Sequence, residues 1–210
     1  MFPTKRLSDS RGSSATPSAP LSRALEWLWQ DLRDIKRPHI LDCGPPHQAT
    51  IDVLLKRGAK IYICDLIALA RESDPKFIRR LGKTPTFLID EFLGNIPPIP
   101  PDSLSVITCW HLLDLLPREA IPGLFARLWS YLHSGGVLFC LLREPSLAKG
   151  AETRWWLDSL LTLHSDPESK LPFPHPVVTN RDIERLVPGG NVKTFLTRSA
   201  RREILAIKYL

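Results

Sequence analysis

Four points in the chain place chemically capable side chains just beyond a short apolar run. HILD ends in Asp42 and leads into Cys43-Gly44-Pro45-Pro46-His47, and KIYIC leads into Asp65, twenty-three residues after Asp42. In an open parallel sheet the ligand edge lies beyond the carboxyl ends of the strands. A carboxylate at this offset after a tight strand-to-helix turn accepts hydrogen bonds from ribose hydroxyls. Capping of the following helix is the other reading of Asp65. TFLID ends in Asp90, a candidate ligand acid or a solvated turn residue, and LSVITC carries Cys109 into Trp110 and His111, with Asp114 three residues on. A histidine and an aspartate so spaced suit a general base acting on a hydroxyl or amine; they equally suit a local hydrogen-bonded pair. His175, in PFPHP, is open in the same way, delivered to a site or left in water.

The elements that must position these residues follow from the apolar pattern. HILDC, KIYIC, TFLID, LSVITC and GVLFCLL have the length and two-sided hydrophobicity of strands buried on both faces. Helical spacing fills about 48–57, 67–81 and 118–132 between them, so an α/β fold is expected, with a parallel sheet and helices on both faces. VKTFLT and REILAIKY, joined by RSAR, predict a closing antiparallel hairpin. Ahead of the first strand, Leu25, Leu28, Leu32 and Ile35 mark an amphipathic helix. Residues 145–180 form a long connection with a helical patch, RWWLDSLLTL, and a proline-rich LPFPHPVVTN; such excursions are read as a lid or substrate insertion. Asn180 is placed to cap a short helix, RDIERLV.

Composition sets the limits. With 210 residues, 43% hydrophobic and 24% charged, the chain is neither disordered as a whole nor collagen-like, and its length suits one domain with additions. Ser, Pro, Thr and Gly dominate residues 8–20, so residues 1–20 are expected to be a disordered tail ahead of a single domain over 21–210. No apolar run approaches the ~18 to 20 residues of a membrane span, and the start lacks the apolar core of a signal peptide. A cytoplasmic protein without a membrane partner is expected. The net charge of +6 sits at the ends: Lys5, Arg6 and Arg11 against Asp9 give +2, and residues 181–210 hold seven basic and three acidic side chains. These ends leave nucleic-acid contact open, but no recognition helix, aromatic-studded RNA motif or zinc finger accompanies them. Cys43, Cys64, Cys109 and Cys140 form no C-x-x-C pair, so no metal site is expected.

Taken in order, these segments resemble the class I S-adenosylmethionine-dependent methyltransferases of the small-molecule type. The resemblance runs from about Pro38 to Arg143. ILDCGPPHQATIDVLLKRGAKIYICDL stands where that family has a strand, a glycine-rich turn, a helix and a second strand ending in an acid. LSVITCWHLLDLLPREAIPGLFARLWSYLHSGGVLFCLL looks like its fourth strand, a loop, a helix and the small-residue turn before strand five. The resemblance implies a Rossmann-like sheet of seven strands in the order 3-2-1-4-5-7-6, with the hairpin closing one side. It implies S-adenosylmethionine as cofactor, held by Asp42, Gly44, Asp65 and Asp90, with Cys109 and Trp110 bordering its methionine part. An unidentified methyl acceptor would then face His111, Asp114, Trp155, Trp156 and His175. The family's G-x-G-x-G reads here Gly44-Pro45-Pro46-His47-Gln48, so two of three glycines are absent. Proline fixes φ and offers no N–H, which should weaken cofactor binding at the turn. A catalytically inactive relative that uses the sheet as a binding or scaffolding module is the rival expectation.

Overall fold

Ser22 ties the leading helix to the sheet with a single hydroxyl. It accepts from the Leu25 N–H (3.0 Å), capping α1 (Arg23–Asp31), and donates to Glu203 Oε2 (2.6 Å). Ala24, Leu25, Leu28 and Trp29 recur at helical spacing and are buried as α1 packs on the C-terminal hairpin. The computed structural model describes residues 21–72, 76–81, 84–144, 151–173, 175–189, 191–197 and 201–209; the expected tail at 1–20 lies outside them.

Beyond α1 come β1 (His39–Asp42), α2 (Gln48–Lys56), β2 (Lys60–Ile63), α3 (Leu66–Arg71), β3 (Ile78–Leu81), β4 (Thr84–Phe87), α4 (Ile89–Leu93), β5 (Leu104–Trp110), α5 (Leu112–Leu115), α6 (Ile121–Tyr131) and β6 (Leu132–Arg143). The excursion holds β7 (Ala151–Glu152), β8 (Trp155–Leu157), β9 (Leu163–Ser165) and β10 (Lys170–Leu171), and α7 (Asn180–Leu186), β11 (Asn191–Leu196) and β12 (Arg201–Ile207) complete the chain. The central sheet runs β11-β12-β6-β5-β1-β2, parallel except for β12, which is antiparallel to both its neighbours. Every residue of β5 is buried, as are nearly all of β12 and the second half of β6, which is why their sequences are continuous apolar runs. The edge strands β2 and β11 are half exposed and read as mixed.

The sheet has six strands rather than seven. The expected third strand, TFLID, instead splits: Thr84–Phe87 pairs antiparallel with Ile78–Leu81 in a separate ribbon, and Ile89 onward turns into α4 with Asp90 and Glu91 in its first turn. Pro85, which has no N–H for a central ladder, explains the demotion. The apolar content is used in an aromatic cluster, with Phe92 5.4 Å from Phe77 and 5.6 Å from Phe87 between ring centroids. The helix expected over 67–81 ends at Arg71.

Two further expectations are corrected. RWWLDSLLTL forms the hairpin β8–β9 instead of a helix. Trp155 and Leu157 are buried at a spacing of two, and the Leu157 N–H donates to Thr50 Oγ1 (2.9 Å), so the segment docks on α2 as a strand. The cap of α7 is Thr179, in a reciprocal box with Asp182, while Asn180 Oδ1 accepts from Arg202 Nη1 (2.8 Å). Much of the basic C-terminal charge is likewise spent internally. The Arg202 guanidinium donates to the Arg143 and Val178 carbonyls, and Lys208 Nζ to Asp102 and the Trp129 and Leu132 carbonyls.

Glu203 is fully buried, and burial holds its carboxyl above the usual range, against the lowering effects of Ser22 and Arg201. The native state therefore binds this proton more tightly than the unfolded chain, and stability falls as pH rises from the ordinary carboxylate range through the raised value. Ser22→Ala removes a helix cap and a hydrogen bond to that carboxylate, so a loss of about 2 to 3 kcal/mol is expected at pH 8 by urea denaturation. The loss should shrink as pH falls, because the raised folded carboxyl takes up its proton first and the hydrogen bond from Ser22 then no longer meets a charge.

Candidate functional site

The turn after β1 is filled by the chain itself. Asp42, 5% exposed, takes three donors on Oδ1: the Gly44 N–H (3.1 Å), Thr108 Oγ1 (2.9 Å) and Trp110 Nε1 (2.6 Å). Burial pushes its carboxyl up, those hydrogen bonds oppose the rise, and the like charge of Asp65 adds to it. Trp110 is buried, and its indole lies so close over Gly44 that a Cβ there would fall 2.2 Å from Trp110 Cδ1. The Cys43 N–H goes to the Thr108 carbonyl (3.0 Å), that of Gly44 goes to Asp42, and Pro45 and Pro46 have none. From Cys43 to Pro46 the turn offers a ligand no backbone donor.

Cys109 is equally buried, opposite Cys140 in β6. Contact with Cys109 and burial push the Cys140 thiol well above its usual value, which leaves these side chains protonated and inert. All four cysteines are free, and no metal-binding cluster occurs among the described residues.

The open volume lies one strand over. A cleft of about 290 Å³ is bounded by Pro45, Asp65, Arg71 and α3 on one side and by Arg154, Asp166 and Glu168 of the excursion on the other. The capping role expected of Asp65 is realised in the fold. Its Oδ1 accepts from the Ala68 N–H (2.9 Å) and caps α3, while the carboxylate lines the cleft. Asp90 is exposed on α4 and does not line it.

The far wall is fixed by backbone pairing. Arg154 N–H donates to Ser169 Oγ (2.9 Å), the Arg154 carbonyl accepts from Asp166 (3.0 Å), and Thr153 Oγ1 donates to the Ser169 carbonyl (2.9 Å). Next to it Trp156 stacks between His47 (4.7 Å, 12° between planes) and His164 (5.6 Å, 14°), and His164 pairs with Asp158. Burial and the nearby Arg154 guanidinium hold the His47 imidazole below its usual value.

His111 and Asp114 meet at the end of β5. His111 adopts a left-handed backbone (φ 58°), which folds its ring back so that Nδ1 donates to Asp114 Oδ2 (3.0 Å). The Arg143 N–H donates to the same oxygen (2.7 Å). His111 Nε2 and Asp114 Oδ1 are buried with no hydrogen-bond partner among the described residues. Trp155 (6.1 Å) and Phe173 (5.7 Å) flank the imidazole, and Arg143 lies 5.0 Å over the Phe173 ring. His175 is partly exposed, and its carbonyl accepts from Arg143 Nη2 (2.8 Å); burial holds its imidazole below the usual value. The structure thus joins His111, Asp114 and Trp155, reaches His175 through Arg143, and sets Trp156 apart on His47. Sequence reasoning missed Arg143, whose signal was a charge closing an apolar run. It also missed Phe173, Arg71, Arg154, Asp166 and Glu168, which carry no local signature.

No helix among the described residues is long and apolar enough to cross a membrane. No protein-family model and no curated protein matches the sequence. The chain is similar in fold to a putative type 11 methyltransferase from Sulfolobus solfataricus, with a TM-score of 0.50, 16% identity, and 91% of this chain and 95% of that one covered. It also aligns with 1,6-didemethyltoxoflavin-N1-methyltransferase from Burkholderia thailandensis (TM-score 0.49, 15% identity, 89% and 77% covered). A third match is a putative S-adenosylmethionine-dependent methyltransferase from Listeria monocytogenes (TM-score 0.47, 17% identity, 89% and 98% covered). The likeness to the Sulfolobus protein establishes the Rossmann-like fold.

Proposed function

We propose that this protein binds S-adenosylmethionine at the carboxyl edge of its sheet and directs the methyl group to an acceptor held near His111. The observation that carries the reading is the cleft over Asp65, an acid at the end of β2 with one oxygen engaged as a helix cap and the carboxylate still bordering open volume. The cleft is at the lower limit of small-ligand sites in size, with a small apolar side at Pro45, Ile67 and Ala68 and a charged one at Asp65, Arg71, Arg154, Asp166 and Glu168. The fold, shared with solved methyltransferases, agrees with this use of the edge.

The cofactor would supply a methyl group already activated on a sulfonium, so the protein's part is binding, positioning and proton handling. Asp65 would accept from ribose hydroxyls. Asp42, Gly44, Cys109 and Trp110 would act by shaping the floor of the turn, and Asp90, exposed on α4 outside the cleft, would act only through its charge. At the acceptor side, Asp114 accepts from His111 Nδ1 and orients the ring, so that Nε2 is the atom that would receive a hydroxyl or amine proton. Trp155 and Phe173 keep water from that ring, His175 would border the acceptor through Arg143, and Trp156 stands apart on His47.

Calorimetric titration with S-adenosylmethionine tests the reading. Asp65→Asn keeps the capping oxygen and removes the charge, so binding should weaken at least tenfold, the value of one hydrogen bond to a charged acceptor, with an unchanged thermal midpoint. Equal affinity of the two proteins would remove Asp65 from the site. One observation favours a second reading: Trp110 over Gly44, with Asp42 Oδ1 taken by three internal donors, suits a scaffold that has given up the chemistry. Absence of binding by the natural sequence would select it.

A further inference from the structure

We infer that Arg71 and Arg154, with Asp166 and Glu168 beside them, hold the zwitterionic amino-acid tail of the ligand whose ribose meets Asp65. The inference rests on the adenosyl reading above and names a new anchor for the part of the ligand that the turn after β1 does not receive. An α-carboxylate needs donors. Between Cys43 and Pro46 none is free, since two N–H groups are spent internally and two residues are proline. The space over Gly44 is taken by the Trp110 indole. Anchoring must therefore come from side chains that border the open volume.

The cleft supplies them. The Arg71 and Arg154 side chains, both exposed and both lining the cleft, have no hydrogen-bond or ion-pair partner among the described residues, even though carboxylates share the walls. Guanidinium groups left unpaired beside acids are suited to a carboxylate, which they bind through two parallel N–H donors. Asp166 and Glu168 provide the complementary charge for an α-ammonium. A purely anionic ligand such as a nucleoside phosphate would meet three acids here, Asp65 included; a tail carrying both signs meets matched partners.

The wall is also prepared. Arg154 is held on both sides of its backbone by Ser169 and Asp166, Glu168 N–H donates to Asp166 Oδ1 (2.9 Å), and Leu157 is pinned to Thr50. Arg154, Asp166 and Glu168 thus keep a fixed backbone register along one wall of the cleft before any ligand arrives, which lowers the ordering cost of binding.

The experiment is calorimetric titration with S-adenosylhomocysteine, which carries the tail, and 5′-methylthioadenosine, which lacks it. The natural sequence should bind S-adenosylhomocysteine at least tenfold more tightly. Arg154→Gln should weaken S-adenosylhomocysteine about 10- to 100-fold while changing methylthioadenosine less than twofold, with Arg71→Gln acting in the same direction. Both substitutions are on exposed side chains, so equal melting midpoints should accompany them. An unchanged ratio of the two affinities in both variants would place the tail elsewhere and overturn the inference while leaving the adenosyl reading intact. Binding of neither ligand by the natural sequence would overturn both.

Discussion

Replacing Asp42 with alanine is expected to destabilise the fold by about 3 to 5 kcal/mol, while asparagine at the same position costs less than about 1 kcal/mol at neutral pH. Alanine strands three buried donors, the Gly44 N–H, the Thr108 hydroxyl and the Trp110 indole N–H, all of which converge on one oxygen. Asparagine keeps an acceptor at Oδ1 and removes a charge that burial disfavours. The pH dependence has a defined sign. Because the folded carboxyl titrates above its unfolded value, the native state is favoured below the ordinary carboxylate range and loses stability as pH rises through the folded pKa. Asp42→Asn has no such loss, so its stability relative to the natural protein should improve between pH 4 and 8. Urea denaturation across that range measures it. Alanine tolerated as well as asparagine would show that the three donors find water and that the turn is open.

Gly44→Ala should cost about 2 to 3 kcal/mol, an overpacking penalty set by the 2.2 Å approach of its Cβ to Trp110 Cδ1. The indole is buried between β1 and Phe139 (5.6 Å between centroids), so it has little room to retreat. Trp110→Val alone should cost about 3 to 5 kcal/mol by leaving a cavity. Combined, the two should be less damaging than their sum by at least about 1 kcal/mol, because the methyl group enters the space the indole vacates. Strict additivity would mean that Gly44 is needed for its backbone and that Trp110 does not fill the turn.

Much of the sheet was legible in the sequence because β1, β5, β6 and β12 are buried on both faces, and burial of that kind leaves continuous apolar runs. The missing third strand was legible only in Pro85, one residue ahead of a run that otherwise looks complete. Trp155, Trp156 and Leu157 were ambiguous, since a short apolar run fits helix or strand until its docking surface is known; here that surface is the Thr50 hydroxyl on α2. The cap that Asp65 provides was legible from its place ahead of a helix, and its distance to Asp42 singled it out as the acid beside the cleft. Arg154, Asp166 and Glu168 were not legible, because their meeting with Asp65 is made by pairing within an excursion about ninety residues downstream. The inward turn of Trp110 was hidden for another reason: a residue at a strand end faces a ligand or the core according to packing that a period of two does not record.

A crystal structure of the complex with S-adenosylhomocysteine measures the central claim most directly. The ribose diol is expected against the Asp65 carboxylate and the amino-acid tail toward Arg154, with Trp110 still seated over Gly44. A ligand seated instead over Gly44, with the indole displaced and the cleft beside Asp65 empty, would contradict it.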